Sequence, residues 1–173
     1  MKDKITTLEM EIAVMRWLGI RQNLVVPNVS WGLLNYEADV VSVTPSGYAT
    51  EVEIKVSKAD LLADFKKCHS HDSKLFKYLY YAVPEEMQDY ALERIWDKAG
   101  LLVAMRDDYG AVMIVKVRDP KLNIAHRQWT LAQRMKLAEL GAMRILGLKE
   151  GILSMKNDLK YMRKPETPAR SET

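Results

Sequence analysis

The chain contains 173 residues, of which 48% are hydrophobic and 28% are charged, and its formal net charge is +3. This length allows one domain with a hydrophobic core, while the single cysteine, Cys68, excludes an internal disulfide framework and favours a reducing compartment. No apolar run approaches the roughly 20 residues that a membrane-spanning helix needs. The amphipathic, acid-containing start is unlike a signal peptide, so we expect a cytoplasmic protein without a membrane partner.

The first third of the chain is predicted to form a helix followed by three strands. Helical spacing of apolar residues predicts a helix at residues 5–18. Residues 24–31 have a strand-forming composition, but Pro27 favours an edge position because it cannot donate a hydrogen bond to a neighbouring strand. Residues 38–44 and 48–56 are predicted to form an antiparallel hairpin around a Pro-Ser-Gly turn. The predicted apolar face of the helix consists of Ile5, Leu8, Ile12, Met15 and Leu18.

The rest of the chain is predicted to alternate helices and strands before a helical C-terminal segment. Ser57 is a good N-cap for a short helix at residues 58–65. An apolar, aromatic run at 75–83 predicts a buried strand that ends at Pro84. The remaining predicted elements are a helix at 84–98, strands at 101–105 and 111–117, and helices from His126 to Leu146. The expected fold class is α/β, with a mixed sheet flanked by helices.

Charge is distributed unevenly along the chain. Residues 1–120 carry 15 basic and 18 acidic residues, a net of −3, whereas residues 121–164 carry 10 basic and three acidic residues, a net of +7. A basic segment beside an acidic core suits binding to a phosphate backbone. Solvated lysines on surface helices are the ordinary alternative. The polar tail at 165–173 contains two prolines and is predicted to be disordered.

The predicted hairpin brings several charged side chains together. Glu51, Glu53 and Lys55 alternate with apolar residues on its second strand, and Asp39 lies near the start of its first strand. Neighbouring carboxylates repel each other, and burial penalises each charge. A divalent cation would relieve both costs, because Mg²⁺ prefers carboxylate oxygens. The alternative to a metal site of Asp39 and Glu53 is an ordinary exposed strand face.

Two sets of residues resemble a known group of nucleases. Asp39 followed by Glu53-Ile54-Lys55, in the predicted order of elements, resembles the restriction-endonuclease-like αβββαβ core of the PD-(D/E)XK nuclease superfamily. The segments EIKVSKADLLADFKK, YLYYAVPEE, AGLLVA and DDYGA are similar to the MmcB-type DNA-repair proteins of that superfamily, over roughly residues 36–115. Ala38 stands where the superfamily usually has proline. Tyr36 and Glu37 replace the arginines that are usual in the MmcB type.

The resemblance implies roles for particular residues. Asp39, Glu53 and the main-chain carbonyl of Ile54 would bind Mg²⁺ or Mn²⁺, and Lys55 would orient or activate the attacking water. A glutamate of the first helix often joins such sites, and we choose Glu11 over Glu9 because Glu11 falls inside the predicted apolar face. Lysines around the second helix and the loop after it would contact DNA phosphates: Lys58, Lys66, Lys67, Lys74 and Lys77. Solvated surface lysines are the alternative for them.

We therefore expect a Mg²⁺-dependent deoxyribonuclease acting in bacterial or phage DNA repair, recombination or genome processing. Residues 1–120 would form the nuclease-like core, and residues 121–164 a basic helical extension of the same domain. The alternatives are a nuclease-fold module that binds DNA without cutting it, and a structural protein that binds a partner through its C-terminal helices. A homodimer is compatible with either function. The apolar positions of the C-terminal segment predict a core-facing stripe or a subunit contact: Trp129, Met135, Leu137, Leu140, Met143 and Leu146.

Overall fold

The computed structural model describes residues 4–30, 32–65 and 74–162, with side chains up to residue 159. The described residues form a mixed sheet with helices on both faces. The strands are β1 (Leu24–Val29), β2 (Ala38–Val43), β3 (Ala49–Ile54), β4 (Tyr78–Pro84), β5 (Gly100–Arg106) and β6 (Val112–Arg118). The helices are α1 (Thr7–Trp17), α2 (Lys58–Asp64), α3 (Gln88–Arg94) and α4 (Leu131–Met162), with a 3-10 turn at Glu85–Met87.

The strands lie side by side in chain order from β1 to β6. The pairs β1–β2, β2–β3 and β5–β6 are antiparallel, whereas β3–β4 and β4–β5 are parallel and are connected through α2 and α3. The predicted mixed α/β architecture is therefore confirmed. The edge position predicted for the strand that contains Pro27 is also confirmed, since β1 borders the sheet.

Apolar side chains on the two faces of the sheet make separate cores. On one face, Met10 and Val14 of α1 pack with Val40 of β2 and Val52 of β3. On the other face, the core beneath α2 and α3 consists of Leu61, Tyr81, Val83, Met87, Ala91, Ile95, Ala99, Leu101 and Val103. The start of α4 and the segment before it cover β1 and β2 on this second face. Charged residues of β3 that point to this face are therefore buried under helices.

The face of α1 that packs on the sheet matches the predicted one only in part, since Ile5, Met15 and Leu18 do contact the core. Leu8 and Ile12 are exposed, while Met10, Ala13 and Val14 are buried. The helix begins with a capping box between Thr6 and Glu9. A second bond of Glu9, an ion pair of 2.9 Å with Arg106 on β5, ties this end of the helix to the sheet. This contact involves residues far apart in the chain, so the apolar spacing alone could not show it.

The C-terminal segment forms one helix of 32 residues instead of the predicted helices at 126–146. The helix begins later because Thr130 and Gln133 form a reciprocal capping pair. Trp129, just before the helix, is buried, and its indole N–H donates to the Leu75 carbonyl at 2.7 Å. Leu137 is also buried, whereas three positions of the predicted stripe are exposed: Met135, Met143 and Leu146. None of the helices in the described ranges has the length and apolarity needed to span a membrane.

Docking of α4 onto the sheet depends on Leu137, so Leu137→Ala should destabilise the protein by about 2–5 kcal/mol through loss of packing and creation of a cavity. Leu131→Ala, at a position that is 67% exposed in the same helix, should change the free energy of unfolding by less than about 0.5 kcal/mol. Urea denaturation measures both. Equal effects of the two substitutions would contradict the packing of α4 described above.

Candidate active site

The β2–β3 hairpin places Asp39 opposite Glu53. Val40 pairs with Val52 and Val41 with Glu51, so the same register brings Asp39 beside Glu53. The backbone N–H of Ile54 donates to Asp39 Oδ2 at 2.7 Å. The Asp39 carboxylate thus accepts the hydrogen bond that a main-chain carbonyl would accept if β2 and β3 continued to pair. The aspartate is held in a fixed position by the backbone of the strand that carries Glu53.

Lys55 lies at the centre of three carboxylates. Its Nζ is 2.6 Å from Glu53 Oε2, 3.2 Å from Asp64 Oδ1 and 3.6 Å from Asp39 Oδ2. The side chains of Lys55, Glu53 and Asp64 are at most 4% exposed, whereas that of Asp39 is 33% exposed. The cluster is therefore buried, and Asp39 is its member on the solvent side.

The structure adds two buried carboxylates to the predicted group. Asp64, in the last turn of α2, accepts a hydrogen bond from the Tyr81 hydroxyl at 2.9 Å. Glu51 is fully buried and accepts from the Tyr36 hydroxyl at 2.9 Å. The position of Asp64 on α2 had a signal in the sequence. Asp64 follows the apolar Leu61 by three residues, and residues three apart lie on the same face of a helix. The alternative of an ordinary exposed strand face is wrong, since Glu51, Glu53 and Lys55 are all buried.

Burial and neighbouring charges set the protonation of this cluster. Burial, with the negative charge of Asp39, raises the pKa of Glu53 to about 7, although the nearby Lys55 ammonium opposes the change. Burial alone would lower the pKa of Lys55, but the carboxylates of Glu53 and Asp39 outweigh it and raise that pKa. Burial and the adjacent carboxylates also raise the pKa values of Tyr36 and Tyr81. Lys55 is therefore cationic at neutral pH, and both phenols are donors.

The donor atoms of the cluster suit a hard divalent cation. Glu53 Oε1 is buried and has no hydrogen-bond partner among the described residues, so this carboxylate oxygen is available to a cation. No group of three or more His, Cys, Asp or Glu side chains in the described part of the chain forms a ready-made metal site. Mg²⁺ commonly needs fewer protein ligands, because it keeps several waters and binds through one or two carboxylates. Asp39, Glu53 and the Ile54 carbonyl fit that requirement.

Glu11 lies on the Asp39 side of the site. Its Oε2 accepts a hydrogen bond of 3.3 Å from the Asn28 side chain. Burial raises the pKa of Glu11, and the negative charge of Asp39 raises it further. The hydrogen bond from Asn28 and the positive charge of Arg144 partly oppose this increase. Glu11 is half-buried beside the buried Met10, although Leu8 and Ile12 of the predicted apolar face are exposed. Glu9 is instead bonded to Thr6 and Arg106.

Asn28 connects three elements at this position. It has a φ of +52°, in the left-handed region that non-glycine residues seldom adopt. Its carbonyl accepts a hydrogen bond of 2.6 Å from Arg144 of α4, while its side chain donates to Glu11 of α1. Unfavourable backbone conformations persist where the surrounding contacts hold them, and they cluster at functional sites. Sequence reasoning did not identify Asn28 or Arg144.

Of the predicted DNA-contacting lysines in the described ranges, Lys74 and Lys77 lie away from the cluster. Lys58 Nζ lies 4.8 Å from the Tyr90 ring centroid, and Lys77 Nζ lies 4.4 Å from that of Tyr48. Lys74 and Lys77 precede β4, which is parallel to β3, so they lie at the opposite end of the sheet from Lys55. Lys66 and Lys67 lie outside the described residues.

Removal of the buried ammonium should leave the surrounding carboxylates uncompensated. We expect Lys55→Met to destabilise the metal-free protein by about 3–5 kcal/mol at pH 8. Lys136→Met, which removes an exposed lysine 3.4 Å from Glu139, should cost less than about 1 kcal/mol. Chemical denaturation compares the two variants. If Lys55→Met were as stable as the wild type at pH 8, the carboxylates would not depend on this ammonium.

The raised pKa of Glu53 should make stability depend on pH. Between pH 4.5, its ordinary pKa, and about 7, the folded state retains a proton that the unfolded state has lost. Stability of the metal-free protein should therefore fall as pH rises through this window, and Glu53→Gln should reduce the slope. Urea denaturation between pH 5 and 8 measures it. Identical slopes in the two proteins would exclude the raised pKa.

Comparison with known proteins identifies the family of this chain. A search of curated proteins found no match. A solved structure, the SPO1766 protein of unknown function from Silicibacter pomeroyi, is 22% identical and superposes with a TM-score of 0.55 over 94% of each chain, which shows a shared fold. A protein-family model described as "DNA repair protein MmcB-like" matches residues 4–161. Since the match spans nearly the whole sequence, the chain belongs to the MmcB-like DNA repair protein family.

Proposed function

We propose that this protein is a divalent-cation-dependent nuclease that hydrolyses phosphodiester bonds of DNA. The observation that carries the proposal is the position of Lys55 Nζ, 2.6 Å from Glu53 and 3.6 Å from Asp39, behind a carboxylate that reaches solvent. Membership of a DNA repair family supports DNA as the substrate. The predicted relationship to the PD-(D/E)XK superfamily agrees with this chemistry and stays a prediction.

Phosphodiester hydrolysis requires a nucleophilic water and stabilisation of the negative charge that develops on the phosphoryl oxygens. Asp39, Glu53 and the Ile54 carbonyl would hold Mg²⁺ or Mn²⁺. When bound, the cation would neutralise phosphate charge and lower the pKa of a coordinated water. Neutralisation of Glu53 by a cation would also keep this carboxylate ionised against its raised pKa.

Lys55 would act as a donor and an electrostatic group. Its raised pKa keeps the ammonium charged at neutral pH, so it would orient water and stabilise negative charge instead of accepting a proton. Glu53 and Asp64 restrict where this ammonium can move, because both lie within 3.2 Å of it. Such fixed charges cost little reorganisation during the reaction.

The open side of the site would receive the DNA backbone. Arg144 of α4 is fixed to the Asn28 carbonyl at 2.6 Å and influences the charge of Glu11. It therefore adds a positive charge near the Glu11 carboxylate. The excess of basic residues after residue 120 would strengthen this attraction, and binding should weaken as salt increases.

A non-cleaving DNA-binding protein is the second candidate. The observation that favours it is the close ion pair of Lys55 with Glu53, since an ammonium already compensates the carboxylates without a metal. A site that has lost catalysis would retain the Lys55–Glu53 ion pair because the pair stabilises the fold. Cleavage separates the two candidates.

We expect labelled DNA to be cut in the presence of Mg²⁺ or Mn²⁺, and Asp39→Asn to reduce cleavage at least about 100-fold because a charge at the reaction centre is lost. DNA affinity should remain unchanged. The matched control is Glu9→Gln, which removes a carboxylate of α1 that is paired with Arg106 instead of with the cluster, and it should retain cleavage.

Three results would oppose the proposal. Binding without cleavage in either metal, across single-stranded, duplex and branched DNA, would favour the non-cleaving module. If the Asp39→Asn variant cleaved DNA as fast as the wild type, the reaction would not take place at the Lys55 cluster. Absence of salt-sensitive DNA binding would favour a protein that acts through a protein partner.

A further inference from the structure

The second half of α4 extends beyond the sheet as a solvent-exposed helix. Gly141 still lies against the sheet, since a Cβ there would be 3.2 Å from a methyl group of Val26. From residue 142 to residue 159, every residue except Gly151 is exposed. The large apolar side chains of this stretch are 51–67% exposed: Met143, Ile145, Leu146, Leu148, Ile152, Leu153, Met155 and Leu159. Contiguous exposed apolar surface of this kind marks an interaction site.

Five of these side chains form one continuous stripe. Ile145, Leu148, Ile152, Met155 and Leu159 follow one another at alternating intervals of three and four residues. This is the spacing of the a and d positions of a coiled coil, which face a partner helix. Isoleucine at two a positions and leucine at a d position suit a two-stranded assembly.

The helix in this region needs contacts that the domain does not provide. Gly147 and Gly151 lie within it, and an added Cβ at either position would meet nothing within 4 Å. Each glycine lowers helix stability by about 1 kcal/mol relative to alanine. Helices that lack tertiary packing are marginal in water. Packing of the stripe against a partner would supply the missing stabilisation.

Residues 163–173, which follow the helix in the sequence, do not offer an apolar cover for the stripe. The residues that follow the helix, 163–173, read RKPETPARSET and contain no large apolar side chain. DNA is also a poor partner for the stripe, because its phosphate backbone favours cationic contacts. A second copy carries the same stripe and therefore offers a complementary apolar surface of equal length.

The available area is sufficient for such a pair. Burying the five half-exposed side chains on each of two helices would remove on the order of 1,000 Å² from water, which is what a specific interface requires. We propose that residues 145–159 form a coiled coil with the same segment of a second copy, so that the protein is a homodimer. This inference is independent of the proposed nuclease activity.

Light scattering coupled to size-exclusion chromatography, on the full chain at roughly 50 μM, tests the proposal. The wild type should have twice the mass of one chain. Ile152→Glu, within the stripe, should raise the dimer Kd at least about 30-fold. Leu153→Glu is the matched control, because it introduces the same charge at the next residue, also exposed, about 100° away around the helix. It should remain dimeric.

Circular dichroism and thermal unfolding establish that both variants are folded, and neither substituted side chain belongs to the described cores. A monomeric wild-type protein at this concentration would overturn the proposal. So would equal dissociation by the two substitutions, since the stripe would then not define the interface. Binding of a monomeric wild type to anionic lipid vesicles would assign the helix to a membrane surface instead.

Discussion

The ammonium group of Lys55 lies within 3.6 Å of three carboxylates, of which Glu53 and Asp64 are almost completely buried. Charges buried in this way are costly unless they are paired. The pairing involves every element around the site: β2 supplies Asp39, β3 supplies Glu53, and α2 supplies Asp64. Tyr81 of β4 bonds Asp64 and fixes the helix to the next strand. The positions of these elements therefore depend on one another through charge as well as through apolar packing.

A second set of contacts joins the opposite face of the sheet to this site. Asn28 bonds both Glu11 of α1 and Arg144 of α4, in a backbone conformation that costs free energy. The edge strand β1 thus connects a helix on one face with a helix on the other. Arg144 lies one residue before Ile145, the first residue of the apolar stripe, so the stripe begins immediately beside the site. Dimerisation through that stripe would place the two sites in a fixed relationship.

The sequence predicted the parts of this arrangement that depend on local pattern. Alternation and a Pro-Ser-Gly turn identified the hairpin, and the hairpin register brought Asp39 to Glu53. The burial of Asp64 and Glu51 could not be predicted, because their hydrogen bonds come from Tyr81 and Tyr36 in other parts of the chain. The buried face of α1 was predicted only in part: Met15 and Leu18 contact the core, but Leu8 and Ile12 are exposed. The length of α4 was underestimated, since a helix with three glycines and apolar residues on several sides lacks a simple amphipathic pattern.

In the proposed nuclease, one divalent cation bound by Asp39 and Glu53 would complete the Lys55 cluster as a catalytic centre. Electron paramagnetic resonance of Mn²⁺ titrated into the protein tests this proposal directly, without requiring a substrate. The account predicts one bound Mn²⁺ per chain, binding weakened at least roughly tenfold by Asp39→Asn, and unchanged binding in Glu9→Gln. Absence of bound Mn²⁺ at millimolar metal, or equal binding by Asp39→Asn and the wild type, would contradict it.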